Sequence, residues 1–273
     1  DKREYVSINY LNTILQFIKK RRTFGESKNL RKLISRKITK EDFLRAKSTN
    51  KDVVVTVSNL TKNNIEYKSI KDFSYVDYII PGLIIMPIIT NSYMNVVGSF
   101  YSARFQKSVE EVLVSPVPNY IILLGYITGG VLRAFCVGAA VYFVTTYFTE
   151  LKISHLGFTL IITFLTAFLF ATAGFINAVF ANSFDDINIV PTFLLAPLTY
   201  LGGTFYPIEA LPIFWKEASI FNPIAHLVST FRYGFLDLVE TDLTLSLLII
   251  ISLIVILYLI ALTLLSKGIG IKN

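Results

Sequence analysis

Long apolar runs separated by short polar pieces set the pattern of this chain. Crossing a hydrocarbon core of about 30 Å takes roughly 20 mostly apolar residues in helix. Five stretches meet or approach that requirement: residues 78–100, 120–148, 158–180, 187–205 and 243–265. Pro81, Pro87, Asn91 and Asn95 interrupt the first, which suits a packed interior helix better than a lipid-facing one, because neighbours or water must re-satisfy the backbone. Pro191 and Pro197 are expected to kink the fourth.

Between the first two runs lies Arg104-Phe-Gln-Lys-Ser-Val-Glu-Glu-Val-Leu-Val-Ser-Pro-Val-Pro118. Phe105, Val109, Val112 and Leu113 recur at i, i+4, i+7 and i+8, which predicts a helix over 104–114 with one oily face. Arg104, Lys107, Ser108, Glu110 and Glu111 fall on the other face, and Pro116 and Pro118 close it. After the fourth run, Asn222-Pro223 reads as a helix cap followed by proline at the first helical position. Ile224, Leu227, Val228, Phe231, Phe235 and Leu238 then recur at helical spacing, predicting a helix that lies on or dips into a membrane interface. Trp215 and Tyr206 are interface-type residues of the same loop.

Composition agrees with a membrane protein: 53% of residues are hydrophobic and 16% charged, with mean hydropathy +0.57. The net charge of +7 is unevenly placed. Up to Asp72 there are 18 Lys+Arg and 8 Asp+Glu, or +10; the remainder has 26 − 18 = 8 basic and 19 − 8 = 11 acidic residues, or −3. Residues 1–72 are therefore a basic non-membrane segment, small mixed α/β or disordered, and residues 73–273 a membrane domain. Ile8, Leu11, Leu15 and Ile18 share a helix face ahead of Lys19-Lys-Arg-Arg22, which reads first as a solvated basic face and otherwise as a surface for anionic lipid or nucleic acid. Residues 53–58 and 65–70 read as a β-hairpin.

Basic residues in short loops set orientation. Arg104 and Lys107 place their loop in the cytoplasm, Lys267 and Lys272 place the C-terminus there, and the four intervening spans make the two assignments consistent. The loops at 150–155 and 206–242 then face outward. Counting back, however, places 1–72 and its basic residues outside, against the positive-inside trend.

Little points to chemistry. No Gly-x-x-x-x-Gly-Lys-Ser/Thr phosphate loop and no His-Glu-x-x-His helix occurs, and His155 and His226 lack companions at metal-ligand spacing. Cys136 sits in an apolar run as a small hydrophobe. No catalytic residue, bound cofactor or metal is expected. Arg133 is the informative charge, near the middle of 120–148, where a cation costs at least about 2.5 kcal/mol. It reads equally as a translocation-path or helix-locking residue and as a cation that snorkels to an interface because Gly129-Gly130 thins or shifts the span. Asp185 and Asp186, at the inner end of 187–205, read first as solvated or paired with a basic residue of the coupling region and otherwise as a gating pair; with Asn177 they are further candidates for the path or for helix locking.

From about Phe73 onward the chain resembles the permease subunit of ABC-2-type ABC transporters. The likeness is carried by Tyr78-Ile-Ile-Pro-Gly-Leu-Ile-Ile-Met86, the 104–118 segment, Ala178-Val-Phe-Ala-Asn-Ser-Phe-Asp-Asp186 and Pro197-Leu-Thr-Tyr-Leu-Gly-Gly-Thr-Phe-Tyr-Pro207. Leu211-Pro-Ile-Phe-Trp215, Asn222-Pro-Ile-Ala-His226 and Phe231-Arg-Tyr-Gly-Phe235 complete it. It implies an all-α polytopic bundle of about five spans where the family has six, in the inner (plasma) membrane. The segment 104–114 would be the cytoplasmic coupling helix, contacting a separate ATPase through Arg104, Phe105, Lys107, Val109, Glu110, Glu111 and Leu113. ATP and Mg would sit on that ATPase. A second permease copy and the bilayer are the other partners, no nucleic acid is expected, and Asn222, Pro223, Phe231 and Arg232 belong to the outer-interface helix. The family's first membrane span has no counterpart in 1–72, so that segment is expected to be foreign to the permease. The alternative function is a fused or truncated remnant that inserts but does not transport. Residues 53–70 also resemble the middle of bacterial patatin-like lipases, but no Gly-x-Ser-x-Gly nucleophile elbow accompanies them.

Overall fold

The structure, a computed structural model, describes residues 75–149, 153–208, 211 and 213–270. Backbone proximity divides the chain into two units, Asp1–Phe73 and Ser74–Asn273. All described residues belong to the second; the expected basic front helix and hairpin lie outside them. Among the described residues every regular element is helical: α1 (Tyr75–Phe105), α2 (Ser108–Val114), α3 (Asn119–Phe148), α4 (Leu156–Phe180), α5 (Asp186–Val190), α6 (Ala196–Leu201), α7 (Ile213–Ile220), α8 (Pro223–Leu236) and α9 (Leu243–Lys267). Four of these, α1, α3, α4 and α9, are long and apolar enough to cross a membrane.

The fourth expected span is shorter than the pattern suggested. Its helix ends at Leu201, and Pro191, which has no N–H to donate, opens a π turn over Pro191–Leu195 between α5 and α6. It nevertheless reaches from one end of α1 to the other. Tyr101 donates its hydroxyl to the Asn182 carbonyl at 3.1 Å. At the far end Thr204 lies so close to Gly82 that a Cβ there would sit 2.5 Å from the Thr204 carbonyl oxygen. Gly82 and Tyr101 are 101 − 82 = 19 residues apart, about 28 Å along a helix, close to the hydrocarbon thickness. The run, ended by the turn at Gly202-Gly203, where Gly203 has φ +75°, therefore extends about that far alongside α1.

α1 is the central helix, packing on α3, α4 and α8. Small residues let the backbones close: a Cβ at Gly174 of α4 would lie 2.6 Å from the Tyr93 carbonyl, and one at Gly130 of α3 would lie 2.9 Å from that of Ser92. α9 starts on Asp242, whose carboxylate accepts the N–H groups of Thr244 and Leu245. It stops at Gly268 in the left-handed region, and the N–H of Ile269 returns to the Leu264 carbonyl in a Schellman closure.

α8 departs from expectation more sharply. Its cap is the expected one, the Asn222 side chain accepting from the Ile224 N–H at 3.0 Å with Pro223 in the first turn. An interfacial helix would show water a polar face, yet twelve of its residues, Arg232 and His226 included, are buried. It is inserted among α1, α4, α6 and α9 rather than resting on them. Its polar groups are satisfied inside: His226 meets the Ile220 carbonyl through Nε2 and Ser246 Oγ through Nδ1.

Arg232 holds this end of the bundle together. It is 1% exposed, pairs with Glu240 and lies over the Tyr78 ring at 3.9 Å. It also donates to the carbonyls of Tyr78 and Gly203, while Tyr78 donates its hydroxyl to Glu240 at 2.6 Å. One guanidinium thereby joins α1, the turn after α6, α8 and the approach to α9. Removing one partner of such a buried pair leaves an uncompensated charge. Glu240→Gln, which keeps the shape and removes the charge, is expected to cost about 2 kcal/mol, seen as a lower thermal midpoint of the purified chain in detergent. An unchanged midpoint would show that the pair does not hold this end.

Candidate functional site

The opposite end of the bundle carries the segment expected to couple. It is not one helix. α1 runs on through Arg104 and Phe105, the chain turns at Gln106-Lys107, and α2 begins only at Ser108. Lys107 sits in the left-handed region at φ 61°, which breaks the helical phase. The four-residue spacing from Phe105 to Val109 therefore no longer means a shared face. Val109 is buried, Leu113 half-buried, and Phe105 and Val112 are exposed. Lys107, Glu110 and Glu111 are exposed as expected.

Phe105 instead packs on Phe184, edge to face at 5.5 Å, and Phe184 packs on Tyr101 at 4.8 Å. Phe184 was not singled out from the sequence; the only cue was an aromatic residue set in the polar loop Asn182-Ser-Phe-Asp-Asp186. That loop is ordered by a capping box, in which Ser183 Oγ accepts from the Asp186 N–H while the Asp186 carboxylate accepts from the Ser183 N–H. Asp186 is thus tied to its own turn, and Asp185 is exposed. Asn177 donates from Nδ2 to the Ile187 carbonyl at 3.2 Å, joining α4 to α5.

Arg104 is also placed differently from expectation. Rather than lying on the polar face of the coupling helix, its guanidinium donates to the carbonyls of Val179, Ala181 and Gly270. A cation belongs there, because the last carbonyls of a helix are unpaired and carry the negative end of its dipole. Three segments, the ends of α1 and α4 and the turn after α9, meet on one side chain. Lys267 and Arg104 thereby lie at the same end of the bundle.

Arg133 lies at the middle of α3, where its Nε donates to Asn91 Oδ1 of α1 at 3.3 Å. Asn91 is itself held by donation from Nδ2 to the Pro87 carbonyl. The Gly129-Gly130 pair does not interrupt the helix; Gly130 closes on Ser92 and Val96, and Gly129 faces Asn95. Arg133 is exposed, and Asn91 and Asn95 on the facing side of α1 are half-buried. The sequence candidates therefore separate into three places: the Arg104 end, the middle of α1 and α3, and the Arg232 end. Near the last of these Tyr206 donates to the Tyr200 carbonyl at 2.7 Å, and burial pushes its phenol above the ordinary value. Among the described residues no group of three or more His, Cys, Asp or Glu side chains could hold a metal ion.

Comparison with known proteins decides the family. Residues 10–236 match the ABC-2 type transporter family. The chain is 46% identical to the inner membrane transport permease YadH of Escherichia coli (strain K12) over 201 residues, which cover 74% of this chain and 78% of that protein. The chain belongs to the ABC-2 type transporter family. More distant relatives are nodulation protein J of Rhizobium leguminosarum bv. trifolii, 24% identical over 160 residues (58% of this chain, 61% of that protein), and of Sinorhizobium fredii (strain NBRC 101917 / NGR234), 24% identical over 164 residues (60% and 63%). The ABC-2 match starts at residue 10, ahead of the Phe73 from which the resemblance was read. With its apolar helices, this ABC-2 permease is a multi-pass membrane protein.

If Arg104 fastens three helix ends, its removal must loosen all of them together. Arg104→Ala is expected to raise amide hydrogen exchange at least about tenfold both at residues 179–184 and at 264–270, with little change near Arg232. Faster exchange at only one of the two segments would contradict the shared clamp.

Proposed function

We propose that the chain is the membrane-spanning permease subunit of an ATP-driven exporter in the inner membrane. In this reading the Arg104 end, with Lys107 and Lys267, faces the cytoplasm. A separate ATPase, carrying ATP and Mg, docks there on α2 and the neighbouring Phe105 and Phe184. A second copy completes the translocation path, and the exposed face of α1 and α3 around Asn91 and Arg133 lines it. The subunit itself performs no chemistry.

One observation carries the proposal. α2 is an exposed, charged helix anchored on a buried Val109, and it follows directly on Arg104, whose guanidinium binds the ends of α4 and of the turn beyond α9. A force applied to α2 is passed to three spans at once. Exposed apolar side chains beside it, Phe105 at 68% and Val114 at 87% exposure, suit contact with a protein better than with water.

The other reading is a permease remnant that inserts without transporting, with the basic segment 1–72 foreign to the membrane domain. Its support is the charge contrast of +10 against −3 across Asp72. Affinity purification from native membranes separates the coupling claim from this alternative. The full chain is expected to retain a Walker-motif ATPase, and Glu110→Arg with Glu111→Arg to lose it with its own thermal midpoint unchanged. ATPase binding untouched by the double substitution would remove α2 as the docking helix. In reconstituted vesicles, ATP hydrolysis that the permease never alters would mark a remnant.

A further inference from the structure

The helix expected to lie at a membrane interface, α8, is buried, and the short helix before it is not. On α7, Ser219 is the one buried side chain among the described residues, while Phe214, Trp215, Lys216, Glu217, Ala218 and Ile220 are exposed. Phe214 is 71% exposed, and Phe221, just past the helix end, 88%. Ser219 marks the side that meets the bundle. Its hydroxyl is shared between the carbonyls of Trp215, in its own helix, and Leu201, at the end of α6. Phe214 and Ala218, four residues apart, share a face turned about 100–140° from Ser219 at 3.6 residues per turn.

The depth of this face follows from its neighbours. α9 has 25 residues, about 37 Å of helix against a hydrocarbon core of about 30 Å, so each end overshoots the core by about 3–4 Å. Ser246, in the first turn of α9, therefore stands at the hydrocarbon edge. His226 bridges it to α7, meeting Ser246 Oγ at 3.0 Å through Nδ1 and the Ile220 carbonyl at 2.8 Å through Nε2. The last residue of α7 is thus one side chain away from that edge. α7 has 8 residues, about 12 Å of helix, and the headgroup layer beside the core is about 5–7 Å thick. Standing upright, the helix would carry Phe214 and Trp215, in its first turn, beyond the headgroups into water. Pointing inward, it would drag Lys216 and Glu217 into hydrocarbon. Lying along the layer, it keeps the rings and the charges each in a suitable place.

The side chains suit the lipid boundary. Tryptophan, an apolar body with a polar N–H, is favoured where one end is oily and the other wet. Lys216 beside Glu217 leaves the charges of α7 balanced, so attraction through this face is apolar rather than selective for a charged headgroup. We propose that α7 is an interfacial anchor: it lies at the boundary of headgroups and acyl chains at the Arg232 end, with Phe214, Trp215 and Phe221 inserted in lipid. Asn222 passes the anchorage on, donating to the Leu198 carbonyl of α6 at 2.7 Å while its oxygen caps α8. The end of the bundle remote from α2 is thereby fixed in depth by the bilayer. Nothing in this anchorage depends on an ATPase docking at α2.

Trp215 is the only tryptophan in the sequence, so the intrinsic fluorescence of the full chain, reconstituted in phosphatidylcholine vesicles, reports on α7 alone. It is expected to lose most of its emission to phosphatidylcholine brominated close to the headgroup and less to lipid brominated near the chain end. Aqueous acrylamide should quench it poorly. Phe214→Gln with Phe221→Gln, both at exposed positions, should keep the thermal midpoint and make Trp215 clearly more accessible to acrylamide. Strong acrylamide quenching of the wild type would put α7 in water, and quenching by neither reagent would put it beneath another part of the chain or a second copy. Either result overturns the anchor. Stronger quenching by the deep bromines would overturn it as well, and so would an acrylamide response that the double substitution leaves unchanged.

Discussion

One guanidinium at the end of the first described span organises what surrounds it. Helices that end inside a bundle leave carbonyls unpaired and a partial negative charge exposed. Arg104 answers that need for α4 and for the turn after α9 at once, from the last turn of α1. The consequence is mechanical as well as electrostatic. α2 grows from the clamp after a two-residue turn, so an exposed, charged helix is fixed to the ends of three of its spans.

Arg232 does the corresponding work at the other end, by a different route. It is buried and charge-paired, and it joins α1, the Gly203 turn and Glu240. Between the two arginines the spans are held mainly by close backbone approach at Gly174 and Gly130 and by apolar packing. A bundle with polar fasteners at its ends and smooth packing between them is suited to tilting as a body. Arg133 is the exception, a mid-span cation held by Asn91.

Much of the fold was legible in the sequence because bilayer thickness and helical rise constrain it tightly. The four long spans, the Asn222-Pro223 cap and the short polar segment before Pro118 follow from run length, periodicity and cap chemistry. Backbone events without a compositional signature were not legible. Lys107 adopts a left-handed conformation that its residue type does not announce, and it turned the expected helix over 104–114 into two pieces. The π turn at Pro191 likewise shortened the fourth run without changing its apolar pattern. The charged fasteners were hidden for another reason. A basic residue beside an oily run reads as a solvated face, and only the fold reveals that Arg104 faces helix ends and that Arg232 meets Tyr78, 154 residues earlier.

Coupling through Arg104 requires α2 and the three helix ends to move as one body. With Cys136 replaced by serine, spin labels at Val112 and Ile269 report the separation of α2 from the turn after α9 in a complex reconstituted with the proposed ATPase partner. The prediction is that this distance distribution stays the same with and without ATP while labels at Val112 in two copies of the permease change their separation. A Val112–Ile269 distance that shifts by several ångströms on ATP addition would contradict it, since α2 would then move without the spans it is held to drive.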